Sequence, residues 1–130
     1  MNPTLTISQA QLAELSRVPR DARRQQLQLE MAAFWLLHEA DWQPQFRYVP
    51  TYEERQAFFG EVCDWAWRVD LGEHAHLLTA ATLLLRAACQ GWSPENQGLA
   101  RGFIEADPDN PEPALRWLQA AFEQEGLKGQ

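Results

Sequence analysis

The sequence offers little reactive chemistry. Its 130 residues include two cysteines, three histidines and three serines, Ser8, Ser16 and Ser93. The serines suit helix caps or surface positions, and the chain has no G-x-S-x-G motif, no P-loop and no dinucleotide fingerprint. We therefore expect a protein that is not an enzyme, with no catalytic residues and no cofactor.

The cysteines and histidines do not form an obvious site. Cys63 and Cys89 lack C-x-x-C spacing and lie in segments with helical periodicity, which favours buried free thiols over a disulfide. His74 and His76 are two positions apart, so on a helix they point about 200° apart and cannot share a metal. His38 has the carboxylates of Glu39 and Asp41 nearby in the sequence, but no other histidine at a spacing suited to a shared metal. We expect no metal site.

An acidic segment later in the chain superficially suggests calcium. It contains Glu105, Asp107, Asp109 and Glu112, but it lacks the glycine and the final bidentate glutamate of an EF-hand loop. Its prolines are typical of a connector between helices.

Positive charge and long apolar runs are also scarce. The formal net charge is −7, from 18 acidic and 11 basic residues, which disfavours nucleic acid as a partner. The longest apolar stretch, around residues 77–89, is interrupted by Thr79, Thr82 and Arg86 and is too short to span a bilayer. The opening MNPTLTISQAQ has neither the basic start nor the apolar stretch of a secretion signal. We expect no membrane partner and a cytoplasmic location.

The excess negative charge lies entirely after residue 40. Residues 1–40 carry four acids and four bases, whereas the remaining 90 residues carry 14 acids and seven bases. Two interpretations are open: a solubilising surface, or an acidic body that steers a basic partner.

Helical periodicity runs through nearly the whole chain and predicts one all-α domain over residues 1–130, a bundle of five or six helices. Ser8 and Gln11 indicate a capping box, and Pro19 is expected to end the short helix that follows. The further helices are predicted near residues 21–40, 51–69, 73–89, from 93 onwards and 111–124. Gly72 is expected to end the segment that contains the helix at 51–69. The fourth of the six, residues 73–89, is apolar on most sides and is expected to be central.

Tryptophan is abundant, with six residues, and not all of them fit a core. The segment 41–50, DWQPQFRYVP, has no helical period and is predicted to be a loop in which Trp42, Phe46, Arg47 and Tyr48 lack an evident place in the core. Aromatic and arginine side chains are favoured anchors at protein interfaces. These four residues, with Trp67 and Trp92, are the candidate partner-binding residues; the alternative is that the rings cap the ends of the bundle.

The order of segments resembles a family of small helical accessory proteins encoded in bacterial type VI secretion loci, beside the adaptor chaperones that load effectors. The resemblance rests on TISQAQLAEL, an arginine-containing helix, AFFGEVCDWAWRVDLGEHAHLLTAATLLL, and the acidic connector before a closing amphipathic helix. The turn at residues 69–73 matches the polar turn before the fourth family helix, whereas DWQPQFRYVP has no counterpart. The resemblance implies a co-chaperone-like protein that binds an adaptor chaperone, an effector or a spike component.

A second class of protein from such loci is also consistent with the sequence. Cytoplasmic immunity proteins are small, and an acidic surface suits blocking the basic cleft of a toxic nuclease. An inhibitor of a periplasmic toxin would need export, so the absence of an apparent signal favours the accessory role.

Overall fold

A computed structural model describes the backbone of residues 9–128 and the side chains of residues 21–124. Within the described backbone there are five α-helices, one short 3₁₀ helix and no strand, which confirms the predicted all-α fold. The α-helices are α1 (Gln9–Trp42), α2 (Tyr52–Arg68), α3 (His74–Cys89), α4 (Pro94–Glu105) and α5 (Glu112–Lys128), and the 3₁₀ helix is Gln43–Gln45.

Local capping signals determine where the helices begin. The Thr51 hydroxyl accepts from the Glu54 N–H at 3.2 Å and the Glu54 carboxylate accepts from the Thr51 N–H at 3.1 Å, which is the predicted capping box of α2. Ser93 caps α4 in the same way, accepting from the Asn96 N–H at 3.1 Å. α5 begins one residue later than predicted, because the Pro111 carbonyl accepts its first helical hydrogen bond.

Pro19 does not divide the first helical region, so the predicted break there is wrong. α1 is continuous through this position and reaches Trp42. A proline costs a helix one hydrogen bond and about 3 kcal/mol, but it does not by itself force the chain out of helical geometry. The predicted cap at Ser8 lies outside the described residues.

The end of α2 depends on an aspartate rather than on the glycine that the sequence suggests. Asp70 has a φ of 61°, in the left-handed region that aspartate tolerates better than most residues. The Leu71 N–H then donates to the Ala66 carbonyl at 2.9 Å, and this tight turn buries the Leu71 side chain. Gly72 lies beyond the turn.

α3 is the central helix, as predicted. It contacts α1, α2, α4 and α5, and its buried residues occupy most of its circumference. Leu77, Ala81, Leu84 and Leu85 are buried, whereas Leu78 and Ala88 are half-buried. The α1–α2 pair and the α4–α5 pair therefore both pack on one apolar helix.

The outer helices present single apolar stripes to α3. On α1 the predicted stripe is confirmed at Leu27, Met31 and Trp35, which are buried, while Phe34 and His38 are half-buried. Leu115, Leu118 and Phe122 of α5 are buried as predicted. No helix within residues 9–128 combines the length and the apolarity that crossing a membrane requires.

We expect Leu84→Ala and Leu85→Ala each to lower the free energy of unfolding by roughly 2–5 kcal/mol, because each leaves a cavity in the central helix's packing. Chemical denaturation measures the change. Leu99→Ala, at an exposed position of α4, is the matched control and should change the stability of the isolated protein by less than about 0.5 kcal/mol. Equal effects at all three positions would contradict the central placement of α3.

Candidate functional site

The segment after α1 folds back over the end of α3. The Cys89 carbonyl accepts hydrogen bonds from two backbone N–H groups of the segment, those of Arg47 at 2.8 Å and Tyr48 at 3.2 Å. These bonds join residues more than 40 positions apart in the chain and hold Arg47 and Tyr48 at the end of α3.

This return places two of the candidate partner-binding rings against the core. Trp42 lies 5.3 Å and Phe46 lies 5.5 Å, centroid to centroid, from the buried Trp35 ring, and the Phe46 ring is stacked on it. Both are half-buried and pack on the hydrophobic core. The expectation that Trp42 and Phe46 lack a place in the core is therefore wrong. Trp42 is the last residue of α1 rather than part of a loop, and the chain at Phe46 folds onto the bundle instead of projecting from it.

A buried arginine joins this segment to two helices. The Arg86 guanidinium of α3 lies 5.2 Å from the Trp42 ring centroid and 4.5 Å from that of Phe122 in α5. Its Nη2 donates to Gln45 Oε1 at 2.8 Å, and the same oxygen accepts from Gln90 Nε2 at 2.9 Å. The cation is thus placed between two aromatic faces and hydrogen-bonded at its edge.

Arg47 and Tyr48 remain exposed, as the sequence analysis expects. The Arg47 side chain lies over Gly91, where an added Cβ would come within 2.7 Å of Arg47 Cδ. Gly91 has a φ of 85° and ends α3 with a pair of backbone bonds, from its own N–H to Ala88 and from the Trp92 N–H to Ala87. A glycine is therefore required for both the turn and the seating of Arg47.

Tyr48 has a local partner. Its hydroxyl donates to the Glu54 carboxylate, which also accepts from Thr51 at the start of α2. The Tyr48 hydrogen bond is the main reason that the pKa of Glu54 lies below its ordinary value, and the carboxylate raises the pKa of Tyr48. Tyr48 is exposed to solvent but is oriented towards the start of α2.

The remaining two candidates are half-buried tryptophans. Trp67 and Trp92 both pack on the hydrophobic core, and the Trp92 ring lies 5.1 Å from the Phe122 ring. Trp65 and Trp67 are two positions apart on α2 and therefore point in different directions, so Trp65 is buried whereas Trp67 is half-buried.

A groove between α4, α5 and the end of α3 gathers two of the six candidates with residues that the sequence analysis did not single out. Its volume is about 1080 Å³. The groove is lined by Pro44, Gln45, Arg47, Gln90, Gly91, Trp92, Ser93, Asn96, Leu99, Phe103, Trp117, Ala121 and Gln124. Arg47 and Trp92 belong to this lining, whereas Trp42, Phe46, Tyr48 and Trp67 do not.

The exposed apolar part of the groove comes from α4 and α5. Leu99, Phe103 and Trp117 are 55%, 52% and 50% exposed, and the Phe103 and Trp117 rings are 5.0 Å apart. Leu99 and Phe103 are four residues apart on α4, on a face other than the one that buries Ala100 and Ile104. That second apolar stripe on a short helix is the sequence signal that would have found them.

Polar groups occupy the other end of the groove. Gln90 and Gln45 are held by hydrogen bonds to each other and to Arg86, and Arg47 supplies the only charged side chain of the lining described above. A cation at this position stands out in a chain whose net charge is −7. The groove therefore combines the apolar side chains of α4 and α5 with polar ones, among them Asn96 and Gln124, and with one cation, Arg47.

The histidines lie in separate contacts. His38 stacks on Trp42 with the rings 5.3 Å apart, His74 lies 3.0 Å from a carboxylate oxygen of Glu30, and His76 lies 3.2 Å from one of Glu73. Among the residues whose side chains are described, no three histidine, cysteine or acidic side chains are grouped so that they would hold a metal ion.

Both cysteines are buried free thiols. Burial raises the pKa of Cys63 to about 11 and that of Cys89 to about 12, so each thiol stays protonated at neutral pH. Neither is suited to act as a nucleophile.

The chain was compared with protein-family models, with curated proteins and with solved structures, and none of them matches it.

We expect both thiols to resist labelling by a thiol-specific reagent near pH 8 in the folded protein, because burial keeps the thiolate fraction low. In denaturant, both should react within the mixing time. Rapid labelling of the native protein would show that Cys63 or Cys89 is accessible.

Trp42→Ala and Tyr48→Ala should differ in their effect on stability. The Trp42 ring packs on Trp35 and Arg86, so its removal should lower the free energy of unfolding by more than about 1 kcal/mol. Tyr48 is exposed and makes a surface hydrogen bond, so its removal should cost less than about 0.5 kcal/mol. Thermal and chemical denaturation of both variants give the comparison, and a Trp42→Ala protein as stable as the parent would contradict the packing described here.

Proposed function

We propose that the protein is a non-enzymatic, co-chaperone-like accessory protein of type VI secretion that binds a protein partner through the α4–α5 groove. The adaptor chaperone is the first candidate partner, and an effector or a spike component is the next. The resemblance in segment order supports the pathway, and the groove supports binding as the mode of action. In this proposal the protein works in the cytoplasm, where effectors are loaded.

The observation that carries the proposal is the half-exposure of three large apolar side chains in one concave surface. Leu99, Phe103 and Trp117 remain in contact with water although the core already contains large buried rings such as Trp35, Phe59 and Phe122. Aromatic side chains in a concave apolar site are typical hot spots, and each contributes about 2 kcal/mol or more to a complex. Two such rings provide the affinity of a specific but reversible partner.

Arg47 is the one charged side chain of the groove lining and therefore favours one orientation of a bound partner. Its stem and its guanidinium both lie over Gly91, beside the end of α3, and the side chain lines the groove there. A helix of a partner that places apolar side chains along α4 and α5, and a carboxylate at the end near Arg47, matches this distribution. The groove is therefore suited to an amphipathic helix with one acidic end.

The double variant Phe103→Ala/Trp117→Ala should weaken capture of the adaptor chaperone by at least about tenfold, because both rings lose their contacts with the partner. Helical content and melting temperature should change little, since both rings are half-exposed. Binding is measured by calorimetry with purified adaptor, effector and spike proteins of a type VI secretion system. Tyr52→Ala is the matched control, because Tyr52 is also 52% exposed but lies outside the groove.

The outcome also separates the two classes of protein that the sequence allows. An immunity protein would rescue cells from the cognate toxin when expressed alone, and its binding would weaken with salt because the contact is charge-driven. Toxin rescue without binding to the adaptor chaperone or to a spike component would overturn the accessory role. Binding that is unaffected by Phe103→Ala/Trp117→Ala would overturn the groove as its site.

A further inference from the structure

The face of α1 that points away from the bundle is apolar. Leu29, Leu36 and Leu37 are 63%, 58% and 76% exposed, and Ala33 and Ala40 between them are also exposed. The spacing of these residues places them on one stripe, opposite the stripe of Leu27, Met31 and Trp35 that packs on the core. Contiguous exposed apolar surface of this kind marks an association site in a globular protein.

Two opposite charges flank this stripe. Arg23 and Asp41 are both exposed, and they are 18 residues apart in α1, which is five full turns at 3.6 residues per turn. They therefore lie on the same side of the helix, one beyond each end of the leucine stripe. Along the helix, Arg23 and Asp41 are centred on Ala32, and Leu29 and Leu36 are centred between Ala32 and Ala33.

This arrangement is complementary to itself. Consider two copies of α1 that lie antiparallel about a two-fold axis near Ala32 and Ala33. A residue a given number of positions before the axis in one copy then lies level with the residue the same number of positions after the axis in the other copy. Leu29 of one copy is then level with Leu36 of the other, and Arg23 is level with Asp41. Because a two-fold axis brings the same side of both helices together, the Arg23–Asp41 pairing forms twice.

From this self-complementarity we infer that α1 is a homodimerisation surface, and that its occupant is α1 of a second copy of this chain in antiparallel orientation. Ala33 at the centre allows the two helices to approach closely, and the leucines on either side form the apolar middle of the interface. Because α1 ends at Trp42, residues 23–42 of the two copies lie side by side, which is about 30 Å of helix. This inference is independent of the proposed function, which uses α4 and α5.

The first test is the mass of the protein in solution. Light scattering after size exclusion, over micromolar to hundred-micromolar concentrations, should give twice the chain mass of 14.9 kDa. Leu36→Glu should weaken the dimer by at least about tenfold, because it places two carboxylates in the apolar middle of the interface. Leu99→Glu is the matched control, since Leu99 is 55% exposed on a different helix, and it should leave the dimer intact while weakening partner capture.

Charge reversal tests the orientation. Arg23→Asp and Asp41→Arg should each weaken the dimer, and the two together should restore it, because the pairs are then formed with exchanged signs. Circular dichroism confirms that the variants remain folded. A parallel pair would gain nothing from the double change, because each charge would face its own copy.

Disulfide trapping gives a second measure of orientation. Ala33→Cys lies near the two-fold axis and should form an intermolecular disulfide under mild oxidation, whereas Ala22→Cys, on the same stripe but eleven residues away, should not. The native thiols are buried and do not compete. Trapping at both positions shows a parallel pair and overturns the antiparallel arrangement. A monomer at every concentration, or a dimer unaffected by Leu36→Glu, overturns the interface itself.

Discussion

The Arg86 guanidinium holds three parts of the molecule together. A buried cation is costly unless its charge and its N–H groups are satisfied, and the groups that satisfy this one come from separate elements. Trp42 belongs to the end of α1, Gln45 to the turn that follows and Phe122 to α5. The cation is therefore stabilised only when all three are docked on α3, and that docking forms the polar end of the groove.

The central position of α3 explains why α1 and α4 both carry exposed apolar side chains. α3 is buried on most sides, so the four outer helices each need one stripe to cover it. α1 and α4 each carry a second apolar stripe that the bundle does not use, at Leu29–Leu37 and at Leu99–Phe103. Because these exposed apolar residues do not contribute to the core, we infer that they form interaction surfaces.

The two surfaces differ in chemistry. The α4–α5 groove is concave, combines rings with a cation and suits an acidic amphipathic helix. The α1 stripe is convex, lacks rings and is flanked by opposite charges in an order that complements itself under two-fold symmetry. A dimer joined through α1 would present two grooves, which raises the apparent affinity for a partner with repeated sites through effective concentration.

Local signals in the sequence determined the helices and the centre of the fold. The Thr51–Glu54 capping box, the Ser93 cap and the apolar circumference of residues 77–89 act within one or two turns, so they could be interpreted without the tertiary structure. The predictions at Pro19 and Gly72 were wrong because a helix-breaking residue lowers the local helix propensity by up to a few kcal/mol but does not decide the path of the chain. α1 continues through Pro19, and Asp70 rather than Gly72 makes the turn after α2. Only the tertiary structure decided the site. Whether Trp42, Phe46 and Arg47 face the core or the solvent depends on the hydrogen bonds from the loop to the Cys89 carbonyl and on Arg86, contacts between residues some 40 positions apart. Side-chain periodicity describes one helix at a time, whereas a groove is made by several elements whose relative positions are fixed by packing.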